Sequence, residues 1–179
     1  MSKIINSFTG LLTRYLILIL VAIPNLYLFY FILTPLTIYP VYFLFNLFFD
    51  TSLINNTILI VGKCPIELVN ACIAGSAYYL LLILNLSIPR INIKERLTMI
   101  SFSFSLLLII NLLRIFILGL MSSFSDLLLF DITHKLFWYL LSTIFVAGIW
   151  FLEVKLFRIT EIPFYSDIKD LYNNSNIKR

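Results

Sequence analysis

Histidine occurs once in this 179-residue chain, cysteine twice and glycine five times, and only 12% of the residues are charged. Each scarcity excludes something. A soluble domain carries roughly 25% charged residues. Half that share, with 61% apolar residues and a mean hydropathy of +1.00, places the chain in a bilayer. One histidine and two cysteines do not make a zinc set, and neither a CxxC nor an HExxH spacing occurs. Five glycines argue against a GxxxG-packed bundle, and no glycine loop is present to cradle a phosphate. The net charge of +4 forms no basic stripe with interleaved aromatics. It therefore reads as membrane topology, with no nucleic-acid partner and no cofactor expected.

What is present is apolar length. Leu, Ile and Phe dominate, as lipid-facing helices require. The segment Met1–Gly10 carries Lys3 and leads into bulky residues without a small-residue cleavage site, so it reads as a retained anchor. The first apolar stretch, Leu11–Phe49, has Arg14 near its start and Pro24, Pro35 and Pro40 inside it. One span needs about 20 residues. The stretch is expected to hold one span, Tyr15–Thr34, broken by Pro35 and Pro40 into an aromatic-rich segment, Leu36–Phe49, lying in or dipping into the outer interface.

Asp50–Val69 is the long polar interruption of the first half. Within it, Thr57–Val61 and Ile66–Val69 are short β-branched runs around Gly62-Lys63-Cys64-Pro65, the pattern of a small hairpin or lid. A lone hairpin is marginal, so it is expected to lean on the helices. Three further spans are expected at Leu68–Ile88, Leu97–Leu120 and Lys135–Phe157. The loop Pro89–Arg96 holds Arg90, Lys94 and Arg96 against a single Glu95, and past Val154 come Lys155 and Arg158, then a tail ending in Lys178 and Arg179. The loop Met121–Thr133 holds Asp126 and Asp131 without a basic residue. Lys and Arg collect on the cytoplasmic side. The expectation is an all-α integral membrane protein of four spans with an interfacial or half-spanning helix and a hairpin-like lid. Both termini are cytoplasmic, in a multi-pass protein of the plasma membrane. It forms one membrane domain: residues 1–56 as anchor span and interfacial helix, 57–157 as core and 158–179 as tail.

That topology brings three reactive side chains to the outer face. Cys72 lies about one turn inside its span, Arg114 less than two turns below the outer end of the next, and His134 at the mouth of the last. Lone cysteines in helices are mostly small core hydrophobes. Here Ala71, Ala74, Gly75, Ser76 and Ala77 leave room for a substrate backbone or a close helix. Arg114 either snorkels to headgroups or faces the bundle, where its fork of donors holds a carbonyl oxygen or carboxylate. His134 either caps its helix or takes a thiol proton. Asp131 is placed to orient it, or belongs to the helix cap with Thr133. Cys64 and Cys72 both face outward, where a disulfide is open to them and would consume the thiol.

These residues resemble the exosortase/archaeosortase membrane peptidases over roughly Thr57 to Phe157. An extended segment runs into the cysteine helix, Ile66-Glu67-Leu68-Val69-Asn70-Ala71-Cys72-Ile73-Ala74-Gly75. It is followed by Asn111-Leu112-Leu113-Arg114-Ile115, then by Phe130-Asp131-Ile132-Thr133-His134 leading into the final span. The likeness is to the small archaeal members. Ala-Cys-Ile-Ala-Gly-Ser-Ala-Tyr-Tyr stands where bacterial exosortases have Ala-Cys-Ser-Gly or Cys-Thr-Gly, and the extra N-terminal spans of larger members are lacking. The resemblance implies a cysteine transpeptidase that cleaves C-terminal sorting signals of exported proteins at the outer membrane face. Such a signal is a short motif, a transmembrane helix and a basic cluster, and the new C-terminus passes to a lipid or other surface acceptor. By position, the resemblance makes Cys72 the nucleophile, His134 the proton acceptor and Arg114 the stabiliser of the tetrahedral oxyanion or an orienting group. The competing readings are a non-enzymatic membrane scaffold or assembly subunit and an anion carrier. The lack of repeats and of paired discontinuous helices argues against the carrier.

Overall fold

The computed structural model describes residues 2–23, 26–61, 65–89, 91–124, 135 and 142–174. The described residues form seven helices and one small sheet. In chain order these are α1 (Ser2–Ala22), α2 (Tyr27–Asn46), β1 (Thr51–Ile54), β2 (Thr57–Ile60), β3 (Ile66–Glu67), α3 (Asn70–Ile73), α4 (Gly75–Leu86), α5 (Ile93–Phe124), α6 (Ser142–Leu156) and α7 (Tyr165–Asn174). The chain is mostly helical, as its composition indicates. Among the described residues, two helices, Tyr27–Asn46 and Ile93–Ser122, are long and apolar enough to cross a membrane, while Thr9–Ala22 and Asn70–Leu86 are apolar but shorter.

The prolines act differently from expectation. α2 passes through Pro35 and Pro40 without interruption. The break falls earlier, at the αL residue Leu26 (φ 58°), so Tyr15–Thr34 is not one continuous helix and Leu36–Phe49 is not a separate segment. A helix-interior proline costs about 3 kcal/mol. Here the α2 face of Leu33, Thr37, Ile38, Val41 and Phe45 is buried along the whole helix. A break at Pro35 or Pro40 would pull that continuous face apart.

The expected hairpin is present and carries one more strand. β1, β2 and β3 form an antiparallel sheet in sequence order. The register Ile54↔Thr57 leaves a two-residue turn, with Asn55 at φ 53°. Asparagine tolerates that left-handed conformation, which is why the chain can fold back there. β2 is central and buries Ile58 and Ile60 against Ile38, Val41 and Phe45 of α2, Leu68, and Ile115 of α5. The sheet does lean on the helices, at what is called here the sheet end of the bundle. A second cluster of Leu33, Ile73, Tyr78, Leu81, Leu107, Val146 and Ile149 fills the middle, where α2, α4, α5 and α6 meet.

Close helix approach depends on two glycines. A Cβ at Gly75 would come within 2.9 Å of the Tyr30 ring. One at Gly119 would run into the Phe45 ring and lie 2.8 Å from Ile66 Cδ1, so α5 sits directly against α2 and β3.

The opposite, tail end is held by arginines. Arg14 donates to the carbonyls of Leu86 and Ile88, each at 2.9 Å, and pairs with Asp167 of α7 at 2.7 Å. Arg96 donates to the carbonyls of Asn85 and Ile88 at 2.5 and 2.7 Å. The last carbonyls of a helix lack intrahelical donors, and here two guanidinium groups serve the end of α4. α7 is inverted relative to a helix on a soluble protein. Ser166 and Asp167 are buried, while Tyr165, Ile168 and Tyr172 are exposed.

Candidate active site

Cys72 sits on a short turn, not inside a long span. Val69 is extended (φ −83°, ψ 167°), α3 runs only four residues, and Ala74 takes the αL conformation at φ 59° before α4 begins. The expected span Leu68–Ile88 is therefore interrupted two residues after the cysteine. At about 1.5 Å per residue, the 12 residues of α4 cover about 18 Å. Gly75, the residue best suited to a left-handed conformation, is instead pressed against Tyr30 within α4. The strained position falls to Ala74.

Two bonds hold the turn. The Cys72 N–H donates to the Val69 carbonyl at 2.8 Å. The Cys72 carbonyl, cut off from a helical donor by the break, accepts from Asn111 Nδ2 of α5 at 2.8 Å. Asn111 is nearly buried and grips the backbone of the cysteine itself. The thiol is free and half-buried, and it packs beside the cluster of Phe45, Ile58, Leu68 and Ile115.

Arg114 lies three residues after Asn111, so both project from one face of α5. It is 7% exposed and close enough to Cys72 for a charge on the sulfur to act on it. Cys72 and Arg114, named from sequence as candidate site residues, are thus brought together. Burial at this depth excludes the reading in which Arg114 snorkels away from the protein. His134 and Asp131, the other two candidates, lie outside the described residues, as does Cys64.

The small-residue stretch after Cys72 divides into two uses. Gly75 and Ala77 serve helix packing, Gly75 against Tyr30 and Ala77 against the central cluster. Ala71 and Ser76 are exposed and flank the turn. Asn111 was not singled out from sequence as a site residue. Its signal was there: an amide three residues before an arginine puts two polar groups on one face of an apolar helix. Glu153 was missed as well, a carboxyl inside the apolar run Ile149–Val154 that is buried against Asn85. Among the described residues, no group of His, Cys, Asp and Glu could hold a metal ion.

Chemically, the arrangement offers a thiol on a turn fixed from both sides. A guanidinium beside it can receive negative charge developing there. No protein-family model matches the chain, and no curated protein or solved structure matches it either. The likeness to the exosortase/archaeosortase family therefore rests on the motifs around Cys72, Arg114 and His134.

Proposed function

We propose that the protein is a membrane-embedded cysteine peptidase of the exosortase/archaeosortase kind, which cleaves C-terminal sorting signals at the outer membrane face. In this reading the sheet end faces outward and the tail end lies in the cytoplasmic leaflet. Four traverses connect them, the first made by the broken pair α1 and α2. The polar and apolar distribution supports the setting. Arg114, Glu153, Asn85 and Asn111 are buried, while Leu20, Phe31 and Phe151 are 59%, 67% and 70% exposed. Ionisable residues turned inward and large apolar ones turned outward suit a lipid surround. The outward apolar stripe of α7 suits a helix lying in the inner interface.

One observation carries the chemistry. α5 delivers an amide to the Cys72 carbonyl and a guanidinium to the vicinity of its thiol from a single face, one turn apart. The thiol attacks the scissile carbonyl of the substrate and Arg114 holds the resulting oxyanion. His134 takes the thiol proton and returns it to the departing amine. The thioester left on Cys72 is then resolved by the amine or hydroxyl of a lipid or surface acceptor, or by water.

The test is processing of a co-expressed exported protein that ends in a short motif, an apolar helix and a basic cluster. Cys72→Ala abolishes cleavage at unchanged protein level. Arg114→Ala lowers it by about 10²–10³-fold, the loss expected for an oxyanion donor. Normal processing by Cys72→Ala would refute the peptidase and leave the non-enzymatic scaffold.

A further inference from the structure

The end of the bundle away from Cys72 buries a carboxyl group that peptide cleavage does not use. Glu153 of α6, Asn85 of α4 and Ser103 of α5 all have no exposed surface. Asn85 Nδ2 faces three acceptors: the Leu81 carbonyl at 3.1 Å, Ser103 Oγ at 3.4 Å and Glu153 Oε2 at 3.1 Å. The Leu81 carbonyl can only accept, which sets the amide with its nitrogen on this side. The Ser103 hydroxyl hydrogen is itself directed to the Met99 or Ile100 carbonyl, at 3.0 and 3.2 Å. Every donor in the cluster is committed. Two acceptors are left without a partner, Asn85 Oδ1 and Glu153 Oε1.

The charged groups on the surrounding elements point elsewhere. Arg96 of α5 serves the carbonyls of Asn85 and Ile88. Arg14 of α1 serves those of Leu86 and Ile88 together with the Asp167 carboxylate of α7. Lys155 of α6 is exposed. Among the described residues, no cation forms an ion pair with Glu153. An ionised carboxylate here would be buried, unpaired and short of a hydrogen-bond donor, a combination proteins avoid.

We propose that Glu153 is a proton-binding site. It holds one hydrogen on Oε1, the carboxyl oxygen without a donor, so that the buried side chain carries no charge. The neutral acid locks α4 to α5 and α6. Raising the pH removes the proton to water, leaves a bare carboxylate among Asn85 and Ser103, and loosens α4, the helix that follows the Cys72 turn. The site stands independently of the peptidase reading.

Infrared spectroscopy of the full-length chain in phosphatidylcholine nanodiscs tests it, together with thermal unfolding across pH. The expected result is a protonated-carboxyl stretch at neutral pH that is absent from Glu153→Gln and disappears from the wild type as pH rises. Over the same range the wild-type midpoint falls. That of Glu153→Gln, whose amide nitrogen replaces the acid hydrogen, stays level. A missing band in the neutral wild type overturns the proposal. So does a Glu153→Gln chain that fails to fold, or is as unstable as Glu153→Ala, because the neutral isostere must be tolerated. Stabilisation of the wild type by sodium or potassium chloride, lost in Glu153→Gln, would overturn it by putting a metal cation in place of the proton.

Discussion

Both ends of the bundle bring arginine to the end of a helix, and they use it in opposite ways. At the tail end, Arg14 and Arg96 reach the carbonyls that finish α4, and Arg14 also neutralises Asp167. At the sheet end the carbonyl exposed by the helix break belongs to Cys72, and an asparagine takes it. Arg114, one turn further along α5, is set beside a thiol instead. A guanidinium is the stronger capping group, since charged donors make the stronger hydrogen bonds. Here the neutral amide takes the cap, and the cation lies on the same face of α5 near the sulfur. Under the proposed function, the tail-end arginines hold the fold and Arg114 serves the chemistry, a division that can be broken by asking which substitutions cost stability and which cost processing.

The largest stability effect is expected at the tail end. Arg14→Ala removes two carbonyl bonds and strands Asp167, whose side chain is 6% exposed. Removing one member of a fully buried pair costs about 3–5 kcal/mol. This pair is partly buried and Asp167 keeps the Tyr15 hydroxyl, so a loss toward the lower end is expected, read as a lowered unfolding midpoint in detergent. Adding Asp167→Asn should return part of that loss, because the unpaired charge goes with it. Peptide processing per folded molecule should be unchanged. If Arg14→Ala instead abolishes processing at normal stability, the two ends are not divided as the geometry indicates.

The contrast also explains what could be read from the sequence. The expected topology rests on charge placement alone, since the basic residues of the loop before Leu97 stand apart from the acidic loop before His134. Yet Arg96, one of the residues used for that reading, and Arg14 are also hydrogen-bonding groups for the end of α4, a role that charge counting does not contain. The proximity of Cys72 and Arg114 was legible because reactive groups stand out in an apolar sequence and the span count brought both to one end. Asn111 was not, because its value lies in a carbonyl released only by the break at Ala74. The break was invisible in turn: Ala74 is an ordinary helix former, and its conformation is imposed by tertiary packing. Pro35 and Pro40 misled in the other direction, as local breakers overridden by a continuous buried face. β1 was lost within a segment read as polar, where Asn55 and the alternating side chains of Thr51–Ile54 were the available signal.

A smaller effect, coupling stability to function, belongs to Asn111. Asn111→Leu fills similar space but leaves the Cys72 carbonyl without its donor. An orphaned buried acceptor costs about 1–3 kcal/mol, so the midpoint should fall less than for Arg14→Ala. Processing should drop by more than the folded fraction, because the cysteine turn loses its tie to the helix that carries Arg114. Asn111→Gln, one methylene longer, should restore stability better than activity. Full activity in Asn111→Leu would mean that the tie does not position the thiol.

The smallest change is expected at Ala74, and its sign is the informative part. A non-glycine residue in the left-handed region carries about 1–2 kcal/mol of strain. Glycine would relieve that strain while adding about 0.4–1 kcal/mol of entropy loss on folding. The net expectation for Ala74→Gly is a gain of about 0.5 kcal/mol, a slightly raised unfolding midpoint. Processing should stay within about twofold of the wild type, a difference worth less than 0.5 kcal/mol. Ala74→Val should move the other way, since a β-branched residue resists positive φ. A sheet end built around this turn requires the two substitutions to fall on opposite sides of the wild type. If both destabilise, α3 and α4 form one continuous helix, Cys72 reverts to a packed core residue, and the distinction between the two ends loses its geometric basis.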